Sequence, residues 1–337
     1  MREAVLLHGG IPALAEFARQ KGKKEPEFYV DWIAALEKNG DVQEMLKAAR
    51  EGLVAIPEGC TIRARIAEGL IRAGTRLKDT DAQLHGWHEA FHSDPSLRYL
   101  LNLLMLSENC GNFKKEIDEA IDRLDTLLKK PRKYRTSFFS EDDDPAETFT
   151  TKSLSAAAYL SGGRFEEALR LCDREGALGW SFTNNPKGLV LPFFLKLLTH
   201  GKKGSHSPNV EHLWSDAIEN LVMGDFSSRN LSDQFQQIIG KVFDSIHLTP
   251  EEKEKHRKWC IREAGRRIDA IVSAKHRKSY HKAAGLLIAT AEMLVVQSMI
   301  SEAFDLIKKY REKYKQFSAF TRELRKIVER SRQFSLE

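Results

Sequence analysis

The residues best equipped for chemistry lie in one short stretch, where His85, His88, Glu89 and His92 follow one another closely. On a helix, His88 and His92 stand one turn apart on the same face. Their imidazoles can then share a divalent cation while Glu89 activates a bound water, the His-Glu-x-x-His arrangement of zinc hydrolases. His85 lies on a neighbouring part of the same helix, and a third ligand from a following helix could be Glu108 or Glu116. Other features argue against hydrolysis. Asp94-Pro95 ends the helix directly after His92, the extension carrying a Gly and a third His is missing, and no strand is legible nearby to orient a substrate. Trp87, Ala90 and Phe91 form the apolar stripe a helix needs for packing, which leaves His88 and Glu89 beside it on the helix surface. The stretch is therefore expected to be a packing helix, with no catalytic residue, metal or cofactor.

A second pattern is electrostatic. Lys255, Lys258, Arg262 and Arg266 recur at spacings of three and four, one cationic stripe along a helix, beside an apolar face of Cys260, Ala264, Ile268 and Ile271. Lys275, Arg277, Lys278 and Lys282 add charge at the next turn, with Trp259 and Tyr280 close in sequence. Such a surface binds phosphates or an acidic peptide by charge and stacking, and arginine can grip carboxylates with two parallel hydrogen bonds. The plain alternative is the solvated back of a helix. The formal net charge of +5 conceals an asymmetry: residues 250–337 hold 21 Lys and Arg against 12 Asp and Glu, and the remainder holds 32 against 36. The expected partner-binding set is Lys255, Lys258, Arg262, Arg266, Lys275, Arg277 and Lys278. The expected partner is a protein or peptide, possibly acidic, with nucleic acid as the alternative.

Other chemistries find little support. Cys60, Cys110, Cys172 and Cys260 are widely separated and form no CxxC pair, so they read as small buried hydrophobes in a reducing compartment. The acidic run Glu141-Asp142-Asp143-Asp144 suits calcium chemically but lacks the glycine turn and the following bidentate Glu of a calcium loop. His200, His206 and His212 lack zinc spacing, and Gly201-Lys202-Lys203-Gly204 is too short for a phosphate loop. No apolar run approaches the ~20 residues that span a bilayer, and no secretory signal is legible, so a cytoplasmic location is expected.

The elements that must position these residues read as helices throughout. Phe28–Lys38 and Val42–Ala55 pair around Asn39-Gly40-Asp41, with Met45, Leu46, Ala49, Leu53 and Val54 inward. Ile62–Ala73 pairs with Asp81–His92, and Leu97–Asn109 with Phe113–Lys129 around Cys110-Gly111-Asn112. After an irregular insertion over 131–150 come Thr151–Leu160 and Arg164–Arg174, then Leu189–Leu198 and helices over 209–222 and 230–247. Thr249-Pro250-Glu251-Glu252 caps a long helix over 250–273, followed by 277–297, 300–314 and 317–333. The domains expected are 1–130, the loop 131–150, 151–249, and a basic region over 250–337.

Several fragments resemble tetratricopeptide repeats: Gly40-Asp41-Val42-Gln43-Glu44-Met45 through Gly52 to Pro57, Gly163-Arg164-Phe165-Glu166-Glu167-Ala168 preceded by Ala156 and Tyr159, and Trp87-Ala90-Pro95. Leu287, Ala291, Leu294, Ala303 and Tyr310 give a fourth match. The resemblance implies an all-α fold, a right-handed α-solenoid of about seven stacked hairpins. It also implies a non-catalytic scaffold that takes a peptide or protein segment in the groove between first helices. Trp87 through Leu97, the Gly179-Trp180-Ser181 turn and Ser279-Tyr280-His281-Lys282-Ala283-Ala284 resemble the helical region that accompanies SWIM-type zinc fingers in prokaryotic proteins. The CxC…CxH cluster of the finger itself is absent, so this resemblance implies a partner-binding half of a larger architecture.

Overall fold

The protein is described by a computed structural model covering residues 2–129, 151–180, 185–201, 207–223, 230–331 and Phe334. Among these residues there are sixteen α-helices, one short 3-10 turn and no strand, so the chain is all-α. None of the described helices is long and apolar enough to cross a membrane. The expected loop over 131–150, its acidic run and His206 lie outside the described residues. The chain divides into two compact units, residues 1–151 and 152–337.

The first unit comprises α1 (Arg2–Lys21), α2 (Glu27–Asn39), α3 (Val42–Ala55), α4 (Ile62–Leu77), α5 (Thr80–Ser93), α6 (Leu97–Asn109) and α7 (Phe113–Lys129). Each helix packs on the next in the chain, and α2 touches α4 as α5 touches α7. This is what short turns between amphipathic helices produce, since each apolar stripe is covered by the nearest available neighbour. Phe28, Trp32, Ile33 and Leu36 face inward from α2, as do Met45, Leu46, Ala49 and Leu53 from α3. Val54 does not: it is 88% exposed, because on a helix it stands about 100° round from the buried Leu53. The stretch around Gly9, Gly10 and Pro12 contains a break: Gly10 (φ 65°) leaves the helical region, with helix on both sides of it. Pro12 follows the break, where a missing N–H costs little, and Leu14 and Ala18 beyond it are buried.

α4 and α5 approach each other closely. Gly86 makes this possible: a Cβ there would stand 2.6 Å from Ile71 Cγ1 and 3.1 Å from the backbone of α4. The absent side chain draws α5 down onto α4 and sets the depth at which His88, Glu89 and His92 sit.

The second unit comprises α8 (Lys152–Ser161), α9 (Phe165–Cys172), α10 (Lys187–Thr199), α11 (Pro208–Val222), α12 (Leu231–Ser245), α13 (Pro250–Ser273), the 3-10 turn Arg277–Ser279, α14 (Tyr280–Val296), α15 (Ile300–Lys313) and α16 (Ser318–Ser331). Here one helix is central. α14 packs against α10, α11, α13, α15 and α16, and Leu286, Leu287, Ile288, Ala289, Ala291 and Met293 are all buried. A helix apolar on nearly every side must be surrounded, and α14 forms the dense centre of this unit. Its one interior acid, Glu292, is fully buried and satisfied by four donors. It accepts from the backbone N–H groups of Asn209 (3.0 Å) and Val210 (3.2 Å), the Asn209 amide (2.7 Å) and the Ser331 hydroxyl (2.7 Å). It thereby caps the N-terminus of α11 from another helix, where unpaired N–H groups and the helix dipole both favour an acceptor. Burial nevertheless raises its pKa.

Candidate functional site

His88 and His92 stack on α5 with ring centroids 4.2 Å apart, as residues four apart on a helix do. Opposite them α7 brings two acids. Glu116 Oε2 accepts from His88 Nδ1 at 2.8 Å, and Glu119 Oε2 lies 3.7 Å from the same atom. His88, His92 and Glu119 each offer one ligand atom within 4.8 Å of the others. Of the two carboxylates suggested by sequence, Glu116 is brought to His88 and Glu108 is not part of the group. Glu119 was missed, although acids at 116 and 119 share one face of a helix.

The two imidazoles are shifted in opposite directions. Burial works against a charged His88, but the hydrogen bond to Glu116 and the charges of Glu116, Glu119 and Glu89 outweigh it and raise its pKa. Glu116, almost completely buried, is lowered in turn: burial alone would raise it, and the His88 hydrogen bond and charge prevail. Burial, then the charges of His88 and Arg123, push His92 down to about 4, so it is neutral near pH 7. Its Nε2 is buried without a hydrogen-bond partner. Arg123 also donates to the His92 carbonyl at 2.9 Å, satisfying a carbonyl at the end of α5.

Glu89 faces away from this group. Arg63 on α4 donates to Glu89 Oε2 from Nε (2.9 Å) and Nη2 (2.5 Å), and His85 Nε2 lies 3.5 Å from Glu89 Oε1. The same guanidinium donates to the carbonyls of Leu53 and of Ile56, the latter at 2.6 Å, closing the C-terminal end of α3. Burial would raise the Glu89 pKa; the hydrogen bonds from His85 and Arg63 and the Arg63 charge instead hold it at about 2. A carboxylate so engaged is a poor general base near pH 7. The expectation that His88 and Glu89 are plain helix surface is therefore corrected. Both are half-buried and bound, because α7 and α4 cover the two sides of α5 that flank its apolar stripe.

The basic residues all lie on the second unit, and all seven are exposed: Lys255, Lys258, Arg262 and Arg266 along α13, then Lys275, Arg277 and Lys278 at the turn beyond it. The stripe covers twelve residues of helix, Lys255 to Arg266, about 17 Å from end to end. Lys255 pairs with Glu166 (2.6 Å), Lys258 with Glu254 (3.0 Å), and Arg262 and Arg266 with Glu263 (3.0 and 3.3 Å). Among the described residues no carboxylate pairs with Lys275, Arg277 or Lys278. The apolar face works as the spacing suggests, with Cys260, Ala264, Ile268 and Ile271 buried. The aromatic part of that expectation is corrected. Trp259 packs 5.8 Å from Phe194 and Tyr280 packs 6.0 Å from Phe320, both inside the core, so neither ring can stack on a ligand.

Glu263 has a second role that sequence reading missed. It is buried, and Lys187 Nζ, 1% exposed, donates to its Oε2 at 2.8 Å and to the Glu175 carbonyl at 2.8 Å. Burial raises the Glu263 pKa, but hydrogen bonds from Lys187 and Arg262 and the charges of Lys187 and Arg266 lower it overall. Behind the stripe, Arg267 stacks on Trp180 with 4.0 Å between guanidinium carbon and ring centroid. The cysteines divide: Cys172 and Cys260 are buried, Cys60 is half-buried and Cys110 is exposed at the end of α6, so not all four are buried hydrophobes. His200, at the end of α10, meets Asp244 at 2.9 Å, and His212, within α11, meets Asp216 at 3.5 Å.

No protein-family model matches this sequence, and no curated protein is similar enough to it to count as a match.

Proposed function

We propose that the protein is a non-catalytic binding module of the tetratricopeptide-like kind, whose basic face on the second unit takes an acidic protein segment. The observation that carries this reading is the exposed row Lys255, Lys258, Arg262 and Arg266, continued by Lys275, Arg277 and Lys278. Among the described residues four of these seven cations pair, and with three carboxylates, Glu166, Glu254 and Glu263, so the surplus charge is available to a partner. Glu254 and Glu263 stand within the row itself, which suits spaced side-chain carboxylates better than a continuous phosphate chain. The core positions of Trp259 and Tyr280 remove the stacking that single-stranded nucleic acid would exploit. Consecutive packing of α1 to α7 supports the repeat reading, in which the hairpins follow a right-handed superhelix. Buried thiols at Cys172 and Cys260, whose pKa burial raises, fit a reducing, cytoplasmic setting.

The test is charge reversal of Arg262, Arg266, Arg277 and Lys278 to Glu in the full chain. Retention of a poly-glutamate peptide and of a duplex DNA of equal charge is then measured at rising salt. The reading expects peptide binding that weakens with salt and is lost in the variant. DNA held more tightly than peptide would transfer the role to nucleic acid. Unchanged binding in the variant would remove the basic face from the account.

A further inference from the structure

The His88 group lies on the other unit and is untouched by that proposal. Two buried facts about it need a cause. His92 keeps an imidazole nitrogen out of water with no partner, and buried polar atoms are seldom left so. His88 is gripped through Nδ1 by the buried carboxylate of Glu116. When neutral, a ring held in that way carries its lone pair on Nε2. A carboxylate behind one nitrogen of an imidazole is the device that fixes metal-ligating histidines. Glu119, more exposed than Glu116, supplies a carboxylate within reach of both rings.

We propose that His88, His92 and Glu119 form a divalent transition-metal site on the first unit, with Glu116 orienting His88. Two imidazoles and one carboxylate suit zinc, cobalt(II) or nickel(II) and not magnesium or calcium, which take oxygen donors. Zinc bonds of about 2.0–2.2 Å set tetrahedral ligand atoms about 3.4 Å apart. A group spread over at most 4.8 Å closes to that by side-chain rotation, chiefly of Glu119. The site lacks the other half of the hydrolase motif. Glu89, which would activate the water, is held by Arg63 and His85 on a different side of α5. The spacing of a zinc hydrolase is thus used to bind an ion without its general base.

The full chain, stripped with chelator and dialysed, would be titrated with zinc chloride by calorimetry near neutral pH. It would then be loaded with cobalt(II) and examined by visible absorption. One zinc per chain is expected, with intense cobalt bands of low coordination number. Glu119→Gln, a change at a part-exposed position, and His92→Ala should each weaken zinc about tenfold or more. Glu116→Gln should weaken it about 10–100-fold through loss of orientation. His85→Ala, which removes a histidine outside the group, should leave affinity unchanged. Circular dichroism of each variant establishes that the helices persist. Absence of stoichiometric zinc in the wild type, or binding that survives both Glu119→Gln and His92→Ala, would overturn the site.

Discussion

Glu89→Gln isolates what the acid of the motif does. The substitution keeps size and one carbonyl oxygen but removes the charge that faces Arg63, a guanidinium only 7% exposed. Removing one partner of a buried pair costs about 3–5 kcal/mol, because the other charge is left uncompensated. Arg63 retains the carbonyls of Leu53 and Ile56, and Glu89 is 18% exposed, so the lower end applies. The pKa gives the same size: a carboxyl brought from 4.5 to about 2 corresponds to about 3 kcal/mol. The sign follows from linkage. A lowered folded-state pKa contributes stability that is present above 4.5 and lost as pH falls toward 2. Urea unfolding of the full chain, with hydrogen exchange reporting α3, α4 and α5 separately, should show these amides destabilised by about 3 kcal/mol at neutral pH. The difference from wild type should shrink as pH is lowered through that window. A loss below about 0.5 kcal/mol, the range of an ordinary surface change, would refute the assignment of Glu89 to Arg63.

Four further substitutions probe the framework. Lys187→Met leaves Glu263 facing only the exposed Arg262 and Arg266 and should cost about 3 kcal/mol, while Lys187→Met with Glu263→Gln should recover much of it; calorimetric unfolding of both variants decides. Glu292→Ala strands the N–H groups of Asn209 and Val210 at the start of α11 and should cost about 3 kcal/mol or more in urea unfolding. Because the Glu292 pKa is raised by burial, its contribution is greatest below 4.5 and declines as pH rises through the folded value, a slope that the variant should lack. Gly86→Ala drives a methyl into Ile71 and the α4 backbone and should cost about 1–3 kcal/mol, read as a lower urea midpoint with the helical signal retained.

The helices were legible wherever the two local signals agreed. Val42–Ala55, Leu97–Asn109, Phe113–Lys129 and Pro250–Ser273 run as their apolar spacing and turn residues indicate. In α13 the capping box is complete, Thr249 Oγ accepting from the Glu252 N–H and Glu252 from the Thr249 N–H. Gly9, Gly10 and Pro12 mark a real interruption, since Gly10 (φ 65°) leaves the helical region, and burial of Leu14 and Ala18 holds the helix that resumes beyond it. The His88 pairing was half legible, because residues four apart on a helix must be neighbours. Its acids come from a helix more than twenty residues on, and the periodicity of α5 says nothing of them. Arg63 is the clearest omission. It stands in an otherwise ordinary amphipathic helix, and only the folded chain shows that it joins the end of α3 to Glu89. The apolar circumference of α14 was present in the sequence but was absorbed into the pattern of paired helices.

The position of α14 has a consequence for how the two halves acquire and keep their structure. Helices α1 to α7 gain most of their partners from adjacent segments, so that half can form progressively, and losing a terminal helix leaves the others with their neighbours. α14 needs α10 and α11, far earlier in the chain, as well as α15 and α16 after it. Contacts so distant in sequence require loops to close before they stabilise anything. The second half should therefore form late and all at once, and a chain cut anywhere between α10 and α16 should lose the whole of it, the basic face included.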